Sequence, residues 1–285
     1  MSVIMKGAEV AAAMKEELLQ EIGELARKEI VPQLRIVRVG ARPDDLAYER
    51  GAVKKMGSMG IRCAVTELPE SISQADFETA FSAVNNDPEI HGILLFRPLP
   101  RQLDEEAIRG MIDPKKDIDC MSPVNSAKVF SGDESGFAPC TPEAVMEVLA
   151  HYGVDLKGKR VTVVGRSMVV GRPLAMLMLK KNATVTICHT RTQDLAGTCR
   201  NAEILVAAAG KAGMITVDFV TGNSIVVDVG INVGSDGKLC GDVAFDTVAP
   251  MVASITPVPG GVGTVTSTVL AKHVVRAAGL LNGLG

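Results

Sequence analysis

Aromatic side chains are scarce in this chain: no Trp, two Tyr and seven Phe among 285 residues. That excludes an array of flat side chains on which unpaired bases stack. Excess charge is also lacking, since 30 Lys and Arg stand against 33 Asp and Glu, a formal net charge of -3. Neither nucleic acid nor an anionic membrane is therefore expected as a partner. No run of about eighteen apolar residues occurs, which excludes a transmembrane helix. The segment MSVIMKGAEVAAAMKEELLQEIGELARKEI is broken by charges every few positions and has no apolar signal-peptide core, so a cytoplasmic location is expected. The six cysteines (63, 120, 140, 188, 199 and 240) form no CxxC pair and no Cys/His cluster at metal spacing. They read as small buried hydrophobes of a reducing compartment, with no metal site.

What is present is the balance of an ordinary globular protein, 47% hydrophobic and 22% charged. The length predicts two compact domains. Val10, Met14, Leu18, Ile22 and Leu25 fall three or four apart, the spacing of an amphipathic helix. Short β-branched runs alternate with helical patterns throughout, the signature of βαβ units and a mostly parallel sheet. Strands are predicted at 34–39, 63–68 and 92–96, with helices near 7–28, 46–59, 73–85 and 104–111. In the second half, strands are predicted at 161–165, 183–188, 204–209 and 224–230. The joint lies near 131–145, where a helix begins with Thr141 as N-cap and Pro142 in its first turn. A last helix, roughly 264–281, follows ITPVPGGVG.

The segment KRVTVVGRSMVVGRP runs a strand into Gly165, Arg166 and Ser167, and Gly171 then opens a helix. Such a turn presents free backbone N–H groups and a positive helix end to a pyrophosphate. It is not GxGxxG, so a plain tight βα turn fits the pattern equally well. The next strand ends in His189, Thr190, Arg191 and Thr192, about 25 residues further on, where an NAD site presents an acid to the ribose. Here there is no acid but an arginine and hydroxyls, which suits a 2′-phosphate and favours NADP over NAD. A solvated strand end is the plainer reading of His189 and Arg191. ILVAAAGKAG and VVDVGIN also end strands in glycine, so Gly210, Gly230 and Ile231 are candidates to flank the nicotinamide; ordinary turn glycine is the alternative.

Several phrases together resemble one family, the bifunctional methylenetetrahydrofolate dehydrogenase/cyclohydrolases. They are PCTPEAV, VVGRSMVVGRPLA, NATVTICHTRT, ILVAAAGK, VVDVGIN, GDV and ITPVPGGVGTVT, with KKDIDCMSPVN and GILLFRPLP in the first half. The resemblance spans nearly the whole chain in order. It implies a multifunctional enzyme of one-carbon metabolism, oxidoreductase and hydrolase, that acts on a tetrahydrofolate derivative with NADP and forms a homodimer. It implies two α/β domains: a folate-binding catalytic domain at 1–138, completed by a C-terminal helix at 265–285, and a Rossmann-like NADP-binding domain at 139–264. Carried over residue by residue, Gly165, Arg166, Ser167, Thr190 and Ile231 would bind NADP. Tyr48 would pack along the folate, Asp119 would hydrogen-bond the pterin, and Pro257 to Gly261, including Gly260, would line the folate site. Asp119 also makes chemical sense, because a pterin presents an N–H and an amino group side by side that one carboxylate accepts in a fork. A loop carboxylate or helix cap is the plainer alternative.

The chain departs from that family where hydrolysis is concerned. The family's folate motif places a lysine four residues after the tyrosine, and here that position is Ala52. The family's glutamine appears as Phe96, with Arg97 beside it, and Cys120 stands where the family has glycine. Dehydrogenation moves a hydride and need transfer no proton, so positioning can carry it. Hydrolysis of the methenyl cation deprotonates water and protonates a nitrogen, which is general acid–base work. Lys55, seven residues after Tyr48 and nearly on its helix face, is the substitute proton carrier suggested by spacing, and Lys54 by sequence proximity. A dehydrogenase with weakened or rerouted cyclohydrolase activity is expected. The alternatives are another two-domain NAD(P) oxidoreductase, and a catalytically silent folate- or nucleotide-binding protein.

Overall fold

The structure, a computed structural model, describes residues 2–234 and 237–284. Its first half runs β1 (Val3–Ile4), α1 (Gly7–Ala26), β2 (Gln33–Val39), α2 (Pro43–Gly57), β3 (Arg62–Leu68), α3 (Gln74–Asn86), β4 (Gly92–Leu95), α4 (Glu105–Met111) and α5 (Pro123–Ser131). The second half runs α6 (Cys140–His151), β5 (Arg160–Val164), α7 (Gly171–Lys180), β6 (Thr184–Cys188), α8 (Leu195–Arg200) and β7 (Ile204–Ala207). It continues through β8 (Ile225–Asp228), β9 (Asn232–Val233), β10 (Leu239–Cys240), α9 (Phe245–Val248), β11 (Ser254–Ile255) and α10 (Val262–Leu281). The chain is a two-domain α/β protein, and its residues group into two compact units.

One unit comprises Met14–Ala138 and Ser267–Gly285. Its sheet has the order β3-β2-β4 with both pairs parallel. The core beneath it centres on Phe77 and Phe81 of α3, fully buried and stacked at 5.6 Å, together with Val37, Ile93, Leu95 and Ile108. Ser73 starts α3 by accepting from Asp76 N at 3.2 Å. Beyond its other end the buried Lys116 ammonium donates to the carbonyls of Asn85 (2.8 Å) and Asp87 (2.6 Å). Those bonds keep the charge satisfied, while burial pulls the Lys116 pKa down. Helix α5 was not anticipated, although Ser122 caps it, Pro123 opens it and left-handed Gly132 closes it.

The other unit comprises Met1–Ala13 and Pro139–Thr266. Its six-stranded sheet has the order β1-β11-β8-β7-β5-β6, parallel throughout. Val3 and Ile4 pair with Ser254 and Ile255, so the first residues group with this unit. The predicted boundary, with 1–138 in one domain, did not contain that pairing. Central strands buried on both faces read as continuous apolar runs, as in Ile204–Ala207 and Val226–Val227. Helix α6 corrects one sequence expectation: its N-cap is Pro139, with φ −61° and ψ 140°, and Thr141 already lies in the first turn. Pro142 permits this because a first-turn N–H has no intrahelical partner to lose.

Candidate active site

In the second unit, β5 delivers the chain to Gly165, whose φ of +138° is one that L side chains rarely adopt. A Cβ there would collide with the carbonyl of Ala208, and one on Gly171 would collide with the carbonyl of Gly165. The two glycines thus let the turn fold tightly onto the start of α7. Arg166 and Ser167 stand exposed on it, and Ser167 Oγ accepts from Val170 N at 3.0 Å. At the end of β6, His189 Nδ1 accepts from Arg191 N (3.1 Å) and His189 N donates to Thr192 Oγ1 (2.9 Å). That local knot turns Thr190 and Arg191 outward into solvent. An exposed turn with glycine at its tight points, two arginines, hydroxyls and no acid at 189–192 fits a dinucleotide carrying a 2′-phosphate.

The loops following β7 and β8 are held by two buried carboxylates that sequence reasoning did not single out. Asp242 accepts from Ala209 N (2.6 Å), Gly210 N (2.9 Å), Lys211 N (2.9 Å) and Asn232 Nδ2 (2.9 Å). Asp228 accepts from Gly230 N (2.9 Å), Asp242 N (3.0 Å) and Val243 N (2.9 Å). Burial pushes the Asp228 carboxyl up to about 6, with the three N–H groups pulling the other way. Gly230 is glycine for a reason beyond turn geometry: its Cβ would strike the Asp242 carboxylate. Gly210 lies open at φ +65°, and Ile231 is exposed beside the fixed Asn232. The phrases GDV and VVDVGIN were visible in sequence, but nothing there revealed which amides their carboxylates reach. The loop at Pro257–Gly261 belongs to this unit, with Gly260 O accepting from Gly7 N at 2.8 Å.

In the first unit, the face of α2 that carries Tyr48 also carries Ala52, one turn on and buried at 4% exposure. Tyr48 is half exposed, its ring edge-on to Phe96 at 5.7 Å between centroids. Phe96 itself is buried at the end of β4, and Arg97 beside it approaches Glu105 at 3.6 Å. Arg38, buried in β2, holds this turn of helix by donating from Nε to Glu49 at 2.7 Å, and also meets Glu67 at 3.0 Å. These carboxylates hold the Arg38 pKa above its ordinary value. Lys54 is exposed. Lys55 is partly buried, and its pKa is lowered first by that burial and then by Lys15 of α1.

Asp119 lies in a segment fixed from both sides. The buried His273 donates from Nδ1 to Ile118 O at 2.7 Å. The Asp117 carboxylate accepts from Met121 N (2.7 Å), Ser122 N (2.8 Å) and Asn125 Nδ2 (2.9 Å). Cys120 takes the left-handed conformation at φ +56°, which explains the family's glycine at this position and marks local strain here. Burial, followed by Asp117, pushes the Cys120 thiol up to about 12. A cavity of about 340 Å³ opens near the carboxyl ends of β2, β3 and β4, lined among others by Gly40, Arg42, Glu70 and Pro98. Neither Tyr48 nor Asp119 lines it.

Among the described residues no group of three or more His, Cys, Asp or Glu could hold a metal ion, and no helix is long and apolar enough to cross a membrane. Residues 5–119 match the profile of the tetrahydrofolate dehydrogenase/cyclohydrolase catalytic domain, and residues 139–281 that of the same family's NAD(P)-binding domain. The chain is 54% identical over 279 residues to the bifunctional protein FolD of Clostridioides difficile, covering 98% of this chain and 97% of that one. It superposes with a TM-score of 0.95 on the crystal structure of the bifunctional FolD enzyme from Campylobacter jejuni, 38% identical, covering 98% and 99% of the two chains. The Trypanosoma brucei methylenetetrahydrofolate dehydrogenase-cyclohydrolase, solved with NADP and an inhibitor, gives a TM-score of 0.90 at 36% identity, covering 97% of each chain. Two matched domains in order and near-complete coverage on both sides leave one conclusion: the chain belongs to the tetrahydrofolate dehydrogenase/cyclohydrolase family.

Proposed function

We propose that this protein oxidises 5,10-methylenetetrahydrofolate to the methenyl form with NADP, and that the cyclohydrolase step of its family is weakened here. The nicotinamide supplies the acceptor for the hydride that leaves the methylene carbon. Backbone N–H groups of the Gly165–Ser167 turn face the pyrophosphate, while Arg166, Thr190 and Arg191, with His189 holding their turn, receive the 2′-phosphate. Gly210, Gly230 and Ile231 border the nicotinamide. In the other domain the Asp119 carboxylate accepts the paired pterin donors, and Tyr48 packs along the folate. Pro257, Gly260 and Gly261, in the loop before α10, are assigned folate contacts on the family resemblance alone. Hydride transfer asks these residues to bind, orient and exclude water, and asks none of them to move a proton.

Hydrolysis asks for more, and one observation carries its weakening. On the face of α2 that bears Tyr48 the next turn offers a buried methyl group at Ala52, and the ring against Tyr48 is Phe96. No group at either position can take a proton from water or give one to a folate nitrogen. A guanidinium such as that of Arg97 does not replace them, because it does not readily release its proton. Residual hydrolysis is assigned first to Lys55, seven residues after Tyr48 and so nearly on the same face of α2, partly buried with its pKa lowered by that burial, and second to Lys54 beside it.

The test is an assay on purified protein with methylenetetrahydrofolate and NADP, following NADPH and the methenyl band separately. NADPH formation with accumulating methenyl-folate is the expected result. Hydrolysis keeping pace with oxidation would overturn the second half of the proposal, and tight binding of both ligands without turnover would reveal a silent binding protein. A cytoplasmic homodimer is the assembly we propose on the family resemblance, and light scattering at working concentration checks its size.

A further inference from the structure

Three successive backbone N–H groups, those of Ala209, Gly210 and Lys211, converge on one point beyond β7. Such a nest is an arrangement that elsewhere cradles a phosphate or another anion. Here the chain fills it with its own carboxylate, Asp242, which is fully buried. The same carboxylate takes Asn232 Nδ2 at 2.9 Å, and its own backbone N–H is held by Asp228 at 3.0 Å. Asp228 in turn takes Gly230 N and Val243 N, and a Cβ on Gly241 would strike the Asp228 carboxylate. The loops that follow β7, β8 and β10 are thus tied to two adjacent carboxylates. Those loops carry Gly210, Gly230 and Ile231.

We infer that Asp242 is a positioning residue for hydride transfer, its carboxylate setting the backbone against which the nicotinamide lies. This rests on the reading of the chain as an NADP-dependent dehydrogenase. The pyrophosphate keeps the Gly165–Ser167 turn, because the second nest is already occupied from within. The carboxylate is required by donor counting: each oxygen accepts two N–H bonds, Ala209 N and Gly210 N on one, Lys211 N and Asn232 Nδ2 on the other. An asparagine of the same shape would turn an –NH2 toward two N–H donors whichever way it flipped. The loops would relax outward, and a displacement near 1 Å at reacting atoms is enough to slow transfer by roughly a hundredfold.

The experiment compares Asp242→Asn with the native chain at a temperature well below the unfolding midpoint of both. NADPH affinity is measured by its fluorescence, and kcat, both KM values and the isotope effect with methylene-deuterated folate by initial rates. Expected are a roughly hundredfold fall in kcat, a folate KM within about twofold of native and a larger isotope effect, because transfer becomes rate-limiting. Val161→Ala, at the amino end of β5, serves as a control that lowers stability without touching these loops. If Asp242→Asn matches that control, losing melting temperature but keeping kcat and the isotope effect, Asp242 is merely structural and the inference fails. Should Asp242→Asn not fold, Asn232→Ala removes one of the four donors and is expected to lower kcat severalfold; an unchanged kcat there also overturns the inference. A native chain that binds NADPH but transfers no hydride defeats the dehydrogenase reading instead.

Discussion

The carboxyl ends of β5, β7 and β8 and the Tyr48 face of α2 treat polar groups in opposite ways. Around the two buried aspartates, hydrogen bonds tie the loop amides to carboxylates, and at Gly165, Gly230 and Gly241 glycine stands where a Cβ would collide. Around Tyr48, positions at which the family carries a lysine and a glutamine hold Ala52 and Phe96, both buried, with Phe96 edge-on to the Tyr48 ring. The contrast separates two chemistries that share one substrate. Hydride transfer depends on positioning, and the loops after β7 and β8 are held by buried carboxylates. Hydrolysis depends on a proton carrier, and at those two positions none remains.

The contrast can be broken at several points. The largest effect is expected from Arg38→Met, which leaves Glu49 facing an apolar group beneath α2 and lowers stability by about 3 kcal/mol in urea unfolding. Glu49→Gln in the same background is expected to recover part of that loss. Next, Gly165→Ala forces a Cβ against the Ala208 carbonyl, and kcat/KM for NADP is expected to fall about a hundredfold while the folded chain persists by circular dichroism. Arg191→Glu places an acid where the 2′-phosphate is received, so the NADP KM is expected to rise at least about tenfold with the NAD KM nearly constant. Smallest is the thiol of Cys120, which lies beside Asp119 but is pushed up to about 12. Its alkylation near neutral pH is expected to be less than about a tenth as fast as that of a free thiol, which removes it as a proton carrier.

Much of this frame was legible in the residues. Alternating β-branched runs located the strands to within a residue or two, because parallel strands buried on both faces leave continuous apolar segments. The mostly parallel sheet and the glycine-bearing turn at Gly165 followed from the same pattern. Two-residue β1 and β11 were not legible, since their identity comes from each other and from β8 rather than from any local preference. Helix α5 had its cap, its proline and its closing glycine in view, but nine residues are too few to show a period. The start of α2 at Pro43 rather than 46 was signalled by the proline itself. The two buried aspartates escaped because a carboxylate in sequence looks the same whether it meets solvent or amides thirty-odd residues away. Lys55 was proposed on spacing alone; the structure adds its partial burial and the neighbouring charge of Lys15, which lower its pKa.

The most direct measurement is the hydrolysis rate of methenyltetrahydrofolate by the native chain and by the double variant Ala52→Lys/Phe96→Gln, under conditions where both oxidise methylenetetrahydrofolate. Restoring an ammonium and an amide beside Tyr48 is expected to speed hydrolysis by about a hundredfold, with the dehydrogenase rate within a few-fold of native. A native chain that already hydrolyses as fast as the variant would contradict the division of labour proposed here, and would place the proton chemistry on Lys55 or another group.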